Sequence, residues 1–208
     1  MLVWIVCFLL PTILYAQSYA GWSADVLAQC NTVKETAHLS DNEKQVVLLM
    51  NMARNNGKLF ASGILKNYLD TTTRSYSKGY VASLREDLKK AKDLPALTDD
   101  TDLFNEAVVH AADMGMSGKT GHNTASGKKP AERFKKLEKE FNPLAENCHY
   151  GTDDPLVIVI ELLIDDKIAG TGHRKNILSP ALNQVGVAIK PHTKYRFNTV
   201  MDFGTRVK

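Results

Sequence analysis

The sequence predicts an α+β domain, on three observations. Between residues 41 and 114, apolar side chains recur at three-to-four spacing over several runs, the period of amphipathic helices. Residues 184–190 (QVGVAIK) and 195–203 (YRFNTVMDF) are strand-like runs joined through Pro191-His192-Thr193-Lys194, a predicted hairpin. Helices come first and the hairpin last, an order that argues α+β.

The elements follow in order. Residues 17–40 show no period and read as a mature N-terminal lead. From Asp41 the pattern turns helical through Val46, Val47, Met50 and Ala53, with Ser40 or Asp41 as cap and Gly57 as stop. A short helix follows over 58–68, then a polar loop over 69–79. Residues 80–93 place Leu84, Leu88 and Ala91 on one side, and Pro95 ends that helix. Thr98 or Asp99 is the expected cap of the next helix, with Asp100 and Asp102 in its first turn. Its stripe holds Leu103, Ala107, His110 or Ala111, and Met114, and Gly115 and Gly118 are expected to break it. Pro130 opens a short helix with Arg133, Phe134 and Leu137. Asp154-Pro155 reads as an N-cap with proline at the first position, so the β-branched LVIVI run is expected to be helical up to Asp166.

Composition bounds the function. The chain has 208 residues with 44% apolar and 24% charged side chains, enough for one domain with a real core. The net charge is +3 with the basic residues dispersed, which gives little support to nucleic acid or an anionic membrane as partner. Residues 1–16 are apolar and uncharged, shorter than a membrane span and suited to a signal peptide cleaved after Ala16. The missing basic n-region leaves an uncleaved anchor as the alternative. The expected organisation is therefore a signal peptide at 1–16, a lead at 17–40 and one domain over 41–208, secreted to the extracellular space or periplasm. Cys30 and Cys148 then remain: either one disulfide or two buried free thiols.

Three stretches carry candidate chemistry. Glu161–Leu178 (ELLIDDKIAGTGHRKNIL) runs through the turn at Gly170 and Gly172 into His173 and Arg174. Gly121-His122 repeats the histidine after a glycine, and Glu146-Asn147-Cys148 sets a carboxylate in an apolar context. We expect the three to converge into one polar site.

The order NMARNN (51–56), HAADM (110–114), GH (121–122), EN (146–147), GHRKNIL (172–178), VGVAI (185–189) and MDF (201–203) resembles the CAP superfamily. That superfamily comprises cysteine-rich secretory proteins, antigen 5 and pathogenesis-related proteins, and its domain is also called SCP. The likeness covers residues 44–204 and is strongest to bacterial secreted members. It implies a three-layer α-β-α sandwich with a small antiparallel sheet, a strand near 146–150, and a cleft with two histidines and two acids. Carried over, these are His122, His173, Glu146 and Asp165, with Glu161 the competitor for the last position.

Two imidazoles and two carboxylates form a competent set for a divalent cation, zinc foremost. The bland alternative is a hydrogen-bonded cluster in which each acid orients a histidine. The same four residues are the candidates for hydrolysis, as general base, general acid or activators of a metal-bound water. No Gly-x-Ser-x-Gly elbow or His-Glu-x-x-His helix accompanies them. Arg174 either holds an anionic ligand group or pairs with Asp165 or Asp166. Asn147 and Asn176 read as scaffold and His110 as a core histidine, and strand alternation turns His149 away from Glu146. The expected function is a secreted, non-enzymatic module that binds a lipid, peptide, glycan or protein. A metal-dependent hydrolase and an envelope scaffold are the alternatives.

Overall fold

The computed structural model describes residues 19–207; the expected signal peptide at 1–16 lies outside the described residues. Helix α1 (Ala24–Cys30) lies in the stretch that shows no period and reads as the N-terminal lead. It has a single buried position, Cys30, so its seven residues offer no period to read. Helix α2 (Asp41–Asn55) begins at Ser40, where a full capping box closes. Glu43 Oε2 accepts from Ser40 N at 2.7 Å, while Oε1 accepts from Ile189 N at 2.8 Å and ties this helix to the sheet.

A second helical stretch, α3, runs over 57–71 with a π turn at Ala61–Leu65. Gly57 opens it rather than stopping α2. A Cβ there would lie 2.2 Å from the Leu88 carbonyl of α4 (Lys78–Lys90), so glycine is required by close approach. Strand β1 (Thr98–Asp99) precedes α5 (Thr101–Ser117). The cap of α5 is Asp100, not Thr98 or Asp99, because those two residues pair in parallel with Gln184 and Val185. Gly115 does not break α5 either. The helix runs to Gly118 at φ 66°, and a Cβ on Gly115 would sit 2.2 Å from the Pro191 carbonyl.

The rest of the chain is α6 (Pro130–Arg133), β2 (Phe141–Tyr150), α7 (Pro155–Ile164), α8 (Gly172–Ile177), β3 (Gln184–His192) and β4 (Arg196–Arg206). Helix α7 ends before Asp166 because Asp165 turns left-handed at φ 55°. The sheet order is β1-β3-β4-β2, antiparallel except for the short β1 edge. The expected three layers are present. Val185, Val187, Met201 and Phe203 face a large core with α2 and α7. Ala188, Val200 and Cys148 face Ala107 and Ala111 of α5. Among the described residues, no helix is long and apolar enough to cross a membrane.

The layering corrects the disulfide expectation. Cys30 lies in the α2 core and Cys148 on the α5 face, with the sheet between them, and both are free and buried.

Candidate functional site

The site straddles β2, the edge strand. On the α5 side, Gly121 adopts φ 100°, and its backbone is pinned by the Tyr150 hydroxyl, which accepts from Gly121 N at 2.8 Å. His110 Nε2 donates to Gly121 O at 3.0 Å, and Arg133 Nη1 donates to His122 O at 2.9 Å. The loop so held delivers His122, whose Nδ1 donates to Glu146 Oε1 at 2.7 Å.

On the other side, Asn147 Nδ2 donates to the His173 carbonyl at 3.1 Å, and Asn176 Nδ2 donates to Asn147 Oδ1 at 2.8 Å. These bonds dock α8 on β2 and confirm the scaffold role of both asparagines. Asp165, almost fully buried, accepts from His173 N and from His173 Nδ1. The two imidazole rings face each other across the edge strand with centres 6.5 Å apart. His122, Glu146, Asp165 and His173 are therefore brought together. The carboxylates stand behind the rings at Nδ1, however, and Nε2 of each ring is the nitrogen left for a ligand.

Glu161 does not compete for that position. It takes a second histidine: His149 Nε2 donates to Glu161 Oε2 at 2.7 Å, and Arg74 and Tyr76 contact Oε1. Burial raises the Glu161 carboxyl, but the His149 hydrogen bond and the nearby charges outweigh it and hold the group below the ordinary carboxylate range. This pair and the His173–Asp165 pair line one cleft of about 570 Å³, together with Tyr76, Tyr150 and Asp166. His149 does point away from Glu146, as strand alternation requires. Its partner is invisible in sequence, because the contact needs α7 laid against β2.

Arg174 does not face the cleft. Its guanidinium is buried, donating to the carbonyls of Leu163, Ile164 and Tyr80 and to Ser83 Oγ, and its carboxylate partner is Asp87 at 2.9 Å. Thr171 and Gly172 launch a helix, and the first turn of α8 rotates Arg174 inward. The anion-holding role expected of it, and its pairing with Asp165 or Asp166, are both replaced by this scaffold role.

Behind Glu146 lies a buried charged cluster. Asp202 stands directly opposite Glu146 in the β2–β4 register and is wholly buried. Arg133 Nη1 lies 2.7 Å from Glu146 Oε2, Nε is 3.1 Å from Glu106, and Nη2 is 3.9 Å from Asp202. Burial acts to raise the Glu146 carboxyl, but the His122 hydrogen bond and the Arg133 charge bring it below the ordinary range. For Asp202, burial and the Glu146 charge win and hold the carboxyl well above that range. Burial also lowers His110, keeping its imidazole neutral. Arg133 and Asp202 were not read as site residues. Asp202 sits in the MDF motif, and only the strand register reveals its partner.

The sequence matches the family model described as CAP, the cysteine-rich secretory protein family, over residues 11–203. A search of curated proteins gives no significant match. Similar solved structures include an outer surface protein of Borrelia burgdorferi, 22% identical at a TM-score of 0.48, covering 62% of this chain and 95% of that one. The venom allergen-like protein 4 of Schistosoma mansoni is 12% identical at a TM-score of 0.47, covering 82% and 92%. An extracellular SCP-domain protein of Bacillus anthracis is 20% identical at a TM-score of 0.44 over 61% of this chain, which spans only 40% of that protein.

Proposed function

Because the chain belongs to the cysteine-rich secretory protein (CAP) family, we propose that it is a secreted, non-enzymatic binding module whose cleft takes a divalent cation, zinc foremost, between His122 and His173. The observation that carries this reading is the pair of facing imidazoles, each held at Nδ1 by a carboxylate. A carboxylate at Nδ1 fixes the tautomer, aims Nε2 outward and raises its basicity, the usual outer-shell arrangement of a histidine zinc ligand. The donor set fits zinc: two imidazoles, with coordination positions left for water or a ligand group. When bound, the ion supplies a Lewis-acidic anchor for an oxygen or nitrogen of the ligand.

The cleft beside it carries Glu161, Asp165 and Asp166, with Arg74 already engaged by Glu161. Tyr76 and Tyr150 add aromatic and hydroxyl surface. Such walls favour a ligand rich in hydrogen-bond donors, a peptide or glycan, over an acyl chain. The uncharged apolar segment 1–16 supports export.

Zinc-loaded protein and its Glu146→Gln variant, incubated with peptide and glycan mixtures, test the non-enzymatic part. Capture of a ligand without turnover is the expected result. Zinc-dependent hydrolysis by the parent that Glu146→Gln abolishes would overturn it in favour of the hydrolase.

A further inference from the structure

Glu146 has two oxygens with different surroundings. Oε1 accepts from His122 and serves the cleft. Oε2 is buried and makes no well-aligned hydrogen bond; its nearest charged neighbour is Arg133 Nη1 at 2.7 Å, which also donates to the His122 carbonyl. Beside Glu146 stand His110, which the cleft does not use, and Cys148, which also lines the cleft wall. His110 Nε2 is 4.0 Å from Oε2, and Cys148 projects from the same face of β2, two residues along. The donor atoms of His110, Glu146 and Cys148 all lie within 4.8 Å of one another.

The geometry points to a second, inner metal site made of His110, Glu146 Oε2 and the Cys148 thiolate, selective for a thiophilic divalent ion such as zinc or cobalt. Zinc–nitrogen and zinc–sulfur bonds of about 2.0 and 2.3 Å give tetrahedral ligand separations of about 3.3–3.8 Å, so the three donors need close in by only a fraction of an ångström to about one ångström. A thiolate, an imidazole and a carboxylate select zinc-like ions over magnesium or calcium, which take oxygen. The fourth position is open to water. The ion displaces the thiol proton as the Cys148 Sγ–metal bond forms, and that proton passes to solvent. His110 gives up its bond to Gly121 O, and its single ring proton leaves Nε2 and is taken up on Nδ1 by exchange with solvent, which frees the Nε2 lone pair for the metal.

The obvious objection is Arg133, a cation 2.7 Å from Oε2. The structure also holds the remedy. Arg133 Nη2 is a buried donor with no hydrogen bond, and both oxygens of Asp202, 3.9 Å from it at the nearest, are buried acceptors with none. A small shift of Arg133 onto Asp202 satisfies both groups and frees Oε2, while Glu106 keeps its contact with Nε at 3.1 Å. Ion entry at Oε2 is thereby coupled to repacking of the Arg133–Asp202 pair. Glu146 becomes a bridge, orienting His122 through one oxygen and ligating through the other. The inference shares Glu146 with the cleft reading but does not depend on His173.

Cobalt(II) titration of the reduced full-length protein tests it, because a cobalt–thiolate bond gives a near-ultraviolet charge-transfer band that histidine and carboxylate ligands do not. The expected result is a band that saturates at one equivalent, is lost in Cys148→Ser and Cys148→Ala, is weakened in His110→Ala, and persists in Cys30→Ser and His173→Ala. A parent without the band, or a band that survives Cys148→Ser in folded protein, overturns the inner site. If zinc binds through His122 and His173 and no band forms, the inner site alone fails. If the band forms and His173→Ala changes no binding, the cleft reading alone fails.

Discussion

Asp165 accepts two hydrogen bonds from a single residue, His173: the backbone N–H at 3.0 Å and the ring Nδ1 at 2.7 Å. The left-handed backbone at Asp165, φ 55°, ends α7 and turns the carboxylate back on the start of α8. One side chain thus sets both where the second imidazole stands and how it is rotated.

Asp165→Asn keeps a residue that tolerates left-handed backbone but offers one acceptor where two donors converge. Its amide NH₂ must face either the backbone N–H or the ring N–H of His173. We expect a fold close to the parent by circular dichroism and a roughly 10–100-fold loss of zinc affinity by calorimetry. Unchanged affinity would mean that Asp165 does not orient a ligand.

Arg174 is predicted to matter for stability and not for binding. Arg174→Ala leaves the carbonyls of Leu163, Ile164 and Tyr80 without their donor, which we expect to cost about 2–4 kcal/mol in urea unfolding. Affinity for a cleft ligand, measured on the folded fraction, should not move. Parent-like stability with weakened anion binding would restore the ligand-holding role.

Glu161 and Asp202 should tilt the pH dependence of stability in opposite directions. Glu161 is more acidic folded than unfolded. Its contribution is full above the unfolded glutamate value, about pH 4.3, and is lost as pH falls through the lower folded value. Glu161→Gln should therefore flatten the acid limb of stability against pH. Asp202 is held above its unfolded value, so its contribution is full below about pH 3.9 and declines as pH rises through the folded value. Asp202→Asn should accordingly gain on the parent as pH rises. Urea midpoints across the pH range check both signs, and parallel curves for parent and variants would refute them.

Both described thiols should resist alkylation in the native state, Cys30 because burial pushes it up to about 11 and Cys148 because burial and the Glu146 charge hold it well above the ordinary thiol range. Mass mapping of metal-free protein after native and denaturing alkylation should find neither labelled until unfolding. A Cys30–Cys148 linked peptide would contradict the layering of the sheet.

The parts legible in sequence were those written in local chemistry. Ser40 and Glu43 announce the start of α2, and Asp154-Pro155 announces α7. Strand β2 could not be read, because Asn142, Pro143, Ala145, Glu146 and Asn147 are weak strand formers, and β4 supplies their pairing. The four cleft residues were reached through the order of short motifs and not through spacing. Arg54 and Asn51 of NMARNN prove to be anchors. Arg54 donates to the carbonyls of Pro95, Ile177, Ser179 and Leu182, and Asn51 bonds Leu97 in both directions. The His149–Glu161 and Glu146–Asp202 pairs remained hidden because each is made only when separate elements meet. Arg174 was misread because a glycine turn suggests exposure, whereas here it starts a helix.

The central claim is that His122 and His173 jointly hold one cation. Zinc titration by calorimetry, on the parent beside His122→Ala, His173→Ala and Cys148→Ser, tests it most directly. The account predicts a cleft zinc-binding event that both histidine variants lose while remaining folded and that Cys148→Ser retains, separate from the inner-site event, which Cys148→Ser loses and His173→Ala keeps. A parent that binds no zinc, or histidine variants that keep every binding event of the parent at unchanged affinity, would contradict it.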